Sequence, residues 1–202
     1  MALSLLASIQ PVWDPSIAWR KGRVILKVES RKGLDTVEVA GWVQRIIREE
    51  KPARVNIDVG GLGTGVYDRL YETASNRRII QAVNFGGKPV EPPAARDEKG
   101  EVAGGPSNRR AEMWSNLKKA LEGGRFSLPD NGSLQADLVS CGYKFNCAGQ
   151  LVLESKQDMR RRGLPSPDEA DAVALCFADP GGFPRNAEFH RNLRARYQDA
   201  YA

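Results

Sequence analysis

The chain has 202 residues, of which 41% are hydrophobic and 27% are charged, and its formal net charge is +5. This length suits one α/β domain or two small ones, and this composition is that of an ordinary soluble protein. No apolar run reaches membrane-spanning length, and the first residues lack a basic start and a cleavage site, which argues against a membrane partner and a secretory signal. The positive charge is compatible with a nucleic-acid partner but does not require one.

The positions of the cysteines and of the single histidine limit which kinds of metal site, disulfide and nucleophilic catalysis the chain can contain. Cys141, Cys147 and Cys176 have neither the spacing of a zinc site nor that of a disulfide framework, which indicates reduced thiols in a cytosolic setting. His190, the single histidine, lies in a polar C-terminal tail. Histidine-based nucleophile systems and histidine-rich metal sites are therefore disfavoured.

The first 50 residues predict a hairpin followed by a helix. Residues 1–13 show no clear pattern, whereas apolar residues over 17–28, with a glycine turn between them, predict two antiparallel strands. Asp35 and Glu38 have the spacing of a capping box, and apolar residues recur at helical spacing after them. The sequence therefore predicts an amphipathic helix over 36–50.

The next segment predicts a strand that ends in an acid. Apolar and polar residues alternate over 55–59, and Asp58 stands directly before a glycine-rich turn that leads into a short helix over 64–70. A further strand is predicted over 79–85, so the order is strand, helix, strand, which favours a parallel pair. Ligands of α/β sheets tend to bind at the carboxyl ends of such strands, where Asp58 lies.

The second half predicts shorter elements. Residues 86–106 are rich in Gly, Pro and charge, and predict a long loop. A second long helix is predicted from Ser107 or Asn108 to the glycines at 123–124. It is followed by a short strand over 126–128, a short helix over 134–139, and a hairpin of 143–145 with 151–153.

The last predicted element is a helix that starts at the Ser166-Pro167 pair. Ser166 is predicted as its cap, Pro167 as its first residue and Glu169 as its third. The folded domain is predicted over 1–182, and residues 183–202 are predicted to be a C-terminal tail.

Two acidic positions are placed for metal chemistry. Asp58 closes a strand, and Asp171 lies in the first turns of the last helix, with Asp168 one turn earlier. Mg²⁺ and Mn²⁺ prefer carboxylate oxygens, and a two-metal site can activate water and stabilise the leaving oxygen of a phosphodiester. Purely structural roles remain open, since Asp168 also suits a helix N-terminus and Asp58 also suits a turn.

The glycine-rich turn after Asp58 offers a different hypothesis. G-G-L-G-T-G after a strand is similar to a phosphate-binding turn, which would make the protein a nucleotide-binding module. However, the G-x-x-x-x-G-K-[ST] motif does not occur in the chain. Close packing of a helix on a strand explains the glycines more simply.

Six blocks in order resemble the nuclease domain of the large terminase subunit of tailed bacteriophages. They are I-D-V-G-G-L-G-T-G-V-Y-D-R-L, V-N-F-G, N-R-R-A-E-M-W, L-P-D, L-E-S-K-Q-D-M-R-R-R-G and S-P-D-E-A-D-A-V-A-L-C-F-A, and the resemblance covers residues 17–178. It implies an α/β fold of the RNase H-like type, with a mixed central β-sheet flanked by α-helices.

The resemblance also implies a function. Members of this family cut concatemeric double-stranded viral DNA during packaging, in the host cell cytoplasm, with Mg²⁺ or Mn²⁺ held at a two-metal site by acids. Asp58 and Asp171 match the catalytic and metal-binding acids, and Asp168 is a nearby metal-binding candidate. The implied partners are a packaging ATPase domain, the small terminase subunit and the portal.

The chain departs from the family pattern in two respects. It has no Walker lysine motif, so the resemblance covers the nuclease half only. The family also places an acid on its first strand, whereas residues 1–13 contain no Asp or Glu, and Asp14 matches a later turn. An alternative hypothesis is therefore a catalytically impaired domain that binds DNA or packaging partners without cutting.

A basic run gains a role through this resemblance. Lys156, Arg160, Arg161 and Arg162 are candidates for contacts to DNA phosphates, which would give salt-sensitive binding without sequence preference. The alternative is a solvated basic face with no ligand.

Overall fold

The computed structural model describes residues 1–6, 14–90 and 104–178. Its seven strands are β1 Ala2–Leu6, β2 Ser16–Lys21, β3 Val24–Ser30, β4 Arg54–Asp58, β5 Ile80–Val83, β6 Tyr143–Phe145 and β7 Leu151–Leu153. Its six α-helices are α1 Thr36–Glu50, α2 Gly63–Glu72, α3 Arg109–Glu122, α4 Gly132–Ser140, α5 Lys156–Arg161 and α6 Asp168–Leu175, with a 3₁₀ turn at Asn76–Arg78.

Five strands form one mixed sheet in the order β3-β2-β1-β4-β5, and β6 and β7 form a separate hairpin. β1 runs antiparallel to β2 and parallel to β4, and β4 runs parallel to β5. One buried cluster joins α1 and α2 to one face of the sheet, and a second joins α3, α4 and α6 to the other face. The mixed central sheet flanked by helices that the resemblance implies is therefore confirmed.

The locally encoded elements of the first half are confirmed. The capping box of α1 is formed, because the Glu38 amide donates to Asp35 Oδ1 at 2.7 Å and the Asp35 amide donates to Glu38 Oε2 at 2.8 Å. The hairpin of β2 with β3, and the parallel pair of β4 with β5, follow the predicted order.

The central strand β1 was not predicted. Four of its five residues, A-L-S-L-L, are apolar, so the alternation that marks a half-buried strand is absent. Its middle residues are buried, with Leu3 and Leu5 at 1% exposure and Ser4 at 0%. Its position is set by pairing with β2, which follows closely in the chain, and with β4, which is distant in sequence.

Two further predictions were wrong. Residues 126–128 form no strand, since Ser127 makes only an isolated bridge to Val24, and Pro129 offers no amide to continue a ladder. Ser166 does not cap the last helix, because its hydroxyl donates to Asp168 Oδ1 at 2.9 Å, and α6 begins at Asp168 without a local side-chain cap.

Asp137 of α4 fulfils that capping role instead. Its Oδ2 accepts from the Glu169 amide at 2.9 Å and from the Ala170 amide at 3.4 Å, so two unpaired amides at the start of α6 are satisfied by another helix. Burial raises the pKa of Asp137 to about 6. Most of the predicted loop over 86–106, the domain boundary at 182 and the C-terminal tail lie outside the described residues.

Candidate active site

The fold brings Asp58 and Asp171 to one place, although 113 positions separate them in the sequence. Asp58 is the last residue of β4, and α6, which carries Asp171, packs across β1, β2 and β4. Asn56 Nδ2 donates to the Leu175 carbonyl at 3.1 Å and so ties β4 to α6. The charges of the two acids are close enough to interact.

Asp58 is a buried acid with a raised pKa. Its residue is 4% exposed, and its Oδ1 accepts from the Gly60 amide at 3.1 Å and from the Phe85 amide at 3.4 Å. Burial raises its pKa to about 7, against the lowering effect of these amides and of Lys156. Gly60 fits this close turn, because a Cβ there would lie 3.2 Å from Asp58 Oδ1.

Asp171 is fully buried but remains ionised. Its Oδ1 accepts from Arg110 Nε at 2.8 Å and from Trp114 Nε1 at 2.7 Å, and Lys156 Nζ lies 3.4 Å from its Oδ2. Burial alone would raise the pKa of this carboxyl, but Arg110 and Lys156 hold it below its ordinary value. The two acids therefore differ in protonation state. At neutral pH the Asp58 carboxyl, with its pKa of about 7, is partly protonated, whereas the Asp171 carboxylate is ionised.

Lys156 lies between the acids of α6. Its Nζ is 2.7 Å from Asp168 Oδ1 and 3.4 Å from Asp171 Oδ2, so Asp168 is within reach of the same lysine as Asp171. Lys156 is the first residue of the predicted basic run, and the structure places it in the acid site rather than on an open surface.

The other three basic residues of the run lie on α5 or just after it. Arg161 Nη1 pairs with Asp158 at 2.8 Å, and Arg162 pairs with Glu154. Arg160 is exposed, and no ion pair engages it within the described part of the chain.

The block N-R-R-A-E-M-W contributes to the family resemblance, but neither Arg110 nor Trp114 was predicted as a site residue. These residues are four apart on α3 and therefore lie on one face of that helix. An Arg and a Trp at this spacing were a local signal, but their acceptor, Asp171, comes from another helix.

The acid site contains carboxylate oxygens, the type of ligand that a hard cation prefers. Among the described residues no group of three or more His, Cys, Asp or Glu is placed to hold a metal. Asp171 Oδ2 is nevertheless buried without a hydrogen-bond partner, and its contact with Lys156 is an ion pair at 3.4 Å. A buried, unsatisfied carboxylate oxygen within electrostatic range of Asp58 fits a divalent cation such as Mg²⁺ or Mn²⁺.

Solved structures with the same fold come from phage terminases. The K428A mutant gp2c of the large terminase subunit from bacteriophage Sf6, with calcium, is 24% identical, with a TM-score of 0.66 and coverage of 81% of each chain. The large terminase nuclease of the thermophilic phage G20c with bound magnesium is 15% identical, with a TM-score of 0.56 and coverage of 88% of this chain and 81% of that one. The nuclease domain of Thermus phage P74-26 is also 15% identical, with a TM-score of 0.52 and coverage of 87% and 78%.

Further structures of the same two phage nucleases contain other metal ions. The Sf6 nuclease domain has also been solved with manganese, and the G20c nuclease with cobalt. No curated protein matches the chain. Within the described residues, no helix is both long and apolar enough to span a membrane.

A family model described as "Terminase RNaseH-like domain" matches residues 12–159. This match includes Asp58, Arg110 and Lys156 and ends before α6. Because it spans well over half of the 202 residues, and because the fold agrees with the terminase structures, the chain belongs to the terminase RNase H-like domain family.

Proposed function

We propose that this protein is a divalent-metal-dependent endonuclease domain of a phage terminase large subunit, which cuts concatemeric double-stranded viral DNA. The observation that carries this proposal is the pair of buried carboxylates, Asp58 and Asp171, with Oδ2 of Asp171 lacking a hydrogen bond. The domain would act in the host cell cytoplasm, together with a packaging ATPase domain, the small terminase subunit and the portal.

Asp58 and Asp171 are the residues that would hold Mg²⁺ or Mn²⁺. Asp168 lies one helical turn before Asp171 and shares Lys156 with that residue, which makes it an additional candidate ligand rather than part of a preformed group of three acids among the described residues. When bound, such ions supply Lewis acidity, an activated water and stabilisation of the leaving oxygen of a phosphodiester.

The chain's own groups prepare the site for a cation and for DNA. The backbone amides of Gly60 and Phe85 both donate to Asp58 Oδ1, which fixes the orientation of that carboxylate. Lys156 places a positive charge between Asp168 and Asp171, so two acids on one short helix are tolerated close together.

The first-strand acid of the family has no counterpart in the sequence of β1, A-L-S-L-L. The parallel register pairs Leu5 with Ile57, so the end of β1 lies beside the strand end that carries Asp58. With one fewer carboxylate at this strand pair, we expect weaker metal binding than a three-acid site provides.

Cleavage of supercoiled plasmid tests the proposed function. We expect nicked and linear products with Mn²⁺, less product with Mg²⁺, and none when EDTA is in excess, because the carboxylates alone cannot activate water for this reaction. The ratio of supercoiled to open forms on agarose gels over time gives the rate.

A protein that is inactive with Mn²⁺, Mg²⁺ and Co²⁺ would contradict the nuclease proposal. If that inactive protein still bound DNA in a salt-dependent manner, the non-cutting DNA-binding alternative would replace it. Cleavage that persists in excess EDTA would contradict the metal-dependent mechanism.

We further propose that the basic run around α5, Lys156 with Arg160, Arg161 and Arg162, faces the DNA phosphates. Arg160 is the clearest candidate because no described acid pairs with it, whereas Arg161 and Arg162 have ion-pair partners. Lys156 lies closest to the acids and would meet a phosphate only at the site itself.

Arg160→Ala should weaken binding to duplexes of different sequence by the same factor. The slope of log K against log salt should fall by about one phosphate contact. Fluorescence anisotropy at several salt concentrations measures both quantities. Lys118→Ala is the matched control, since Lys118 is an exposed cation on α3, and equal salt slopes in the two variants would refute this contact.

A further inference from the structure

Two donors from α3 hold one oxygen of Asp171. Arg110 Nε and Trp114 Nε1 lie 2.8 Å and 2.7 Å from Oδ1. They lie one helical turn apart on α3 and so approach the same carboxylate from one helix face. Two donors on one oxygen restrict the rotation of the carboxylate more than a single ion pair would.

The other oxygen of Asp171 is left without a hydrogen bond. Oδ2 is buried and unpartnered apart from the ion pair with Lys156 Nζ at 3.4 Å. Buried carboxylate oxygens without a hydrogen bond are uncommon, and coordination of a cation is one arrangement that satisfies such an oxygen. The two oxygens of Asp171 therefore differ because both donors of α3 bind Oδ1 and neither binds Oδ2.

Both donors are themselves fixed. Arg110 Nη1 donates to the Glu154 carbonyl at 3.0 Å, and Arg110 Nη2 lies 3.8 Å from Cys141 Sγ. The Trp114 ring packs against the second core cluster and lies 5.7 Å from the Arg110 guanidinium carbon. A ligand is held accurately only when the groups that orient it are locked by packing and further hydrogen bonds.

We propose that Arg110 and Trp114 are positioning residues for metal binding, which saturate Oδ1 of Asp171 and leave Oδ2 available to a divalent cation. This inference rests on the proposed function, because it requires Asp171 to be a metal ligand. Groups that hydrogen-bond to metal ligands typically change metal affinity or activity by 10- to 100-fold when they are replaced.

The test measures Mn²⁺ affinity directly by titration, with the electron paramagnetic resonance signal of free Mn²⁺ as the readout. Trp114→Phe keeps an aromatic ring and removes the indole N–H, and Arg110→Lys keeps the positive charge and removes the Nε donor. We expect each variant to bind Mn²⁺ about 10-fold or more weakly. Cleavage should recover towards the wild-type rate when Mn²⁺ is raised, which a merely structural defect would not allow.

Each variant has a matched control in the same chain. Trp19→Phe removes an indole N–H that has no hydrogen-bond partner in the described structure, on the opposite side of the sheet. Arg109→Lys changes the neighbouring buried arginine, which pairs with Glu112 rather than with Asp171. Both controls should bind Mn²⁺ as the wild type does, and circular dichroism shows which variants are folded.

The outcomes separate the two proposals. Mn²⁺ binding by wild type that is lost in Asp58→Asn, but retained within threefold in folded Trp114→Phe and Arg110→Lys, would overturn the positioning role alone. Wild-type protein that neither binds Mn²⁺ nor cleaves DNA would overturn the proposed function. If one variant does not fold, the affinity of the other decides.

Discussion

Asp58→Asn is expected to be more stable than the wild type at pH 8, by up to about 4 kcal/mol, while losing metal-dependent cleavage. Burial raises the pKa of Asp58 from 3.8 to about 7, and one pKa unit corresponds to about 1.4 kcal/mol. At pH 8 the folded wild type therefore carries an unfavourable buried charge, which Asn does not have. Asn also keeps one oxygen that can accept from the Gly60 and Phe85 amides.

The sign of the pH dependence follows from the direction of this shift. Between pH 3.8 and about 7 the folded state binds more protons at Asp58 than the unfolded state does. The contribution of Asp58 to the free energy of unfolding of the wild type is therefore fully present below pH 3.8 and is lost as the pH rises through 7. The advantage of Asp58→Asn should vanish at pH 4 and reach its maximum above pH 7.

Urea unfolding at pH 4, 6 and 8, without divalent ions, measures this difference. Asp68→Asn is the control, because Asp68 is an exposed carboxylate on α2 and its replacement should change stability by less than about 0.5 kcal/mol. A variant that is less stable than the wild type at pH 8, or that still cleaves DNA at the wild-type rate, would contradict the assignment of Asp58.

Asp171→Asn should have the opposite effect on stability, with a loss of about 3–5 kcal/mol at pH 7. Asp171 forms a buried ion pair with Arg110, whose side chain is 11% exposed. Removal of one partner leaves a buried charge without compensation, which is strongly destabilising. Cleavage should also be lost, because a neutral amide binds a divalent cation more weakly than the negatively charged carboxylate that it replaces.

The pH dependence of Asp171→Asn is expected to be opposite as well. Arg110 and Lys156 hold the pKa of Asp171 below its ordinary value, so its contribution is present above the unfolded pKa and is lost as the pH falls through the folded pKa. The difference between wild type and Asp171→Asn should thus shrink on acidification. Urea unfolding from pH 7 to pH 3 measures it, and a difference that grows towards low pH would contradict the ion pair.

Local sequence signals determined many of the elements. The capping box at Asp35 and Glu38 and the glycine turn between β2 and β3 act within a few residues, so they could be recognised without the rest of the chain. β1 could not, because a strand between two neighbours owes its position to the register with β2 and β4. Its short apolar sequence fits many environments equally well.

The start of α6 also could not be predicted from local sequence. Ser166, Pro167 and Glu169 predicted a local cap, yet the acceptor that satisfies the first amides is Asp137 on α4. A side chain from another helix can replace a local cap when packing brings it to the helix end. Nothing in the sequence near residue 166 encodes that contact.

The sequence by itself determined the class of fold and the family resemblance, and it singled out Asp58 and Asp171 as candidate site residues, because both lie within distinctive local blocks. Only the tertiary structure decided how these acids differ. Burial raises the pKa of Asp58, whereas Arg110, Trp114 and Lys156 surround Asp171 with donors and positive charge. These effects depend on distances between residues on different elements, and such distances arise only when α3, α5 and α6 pack beside the end of β4.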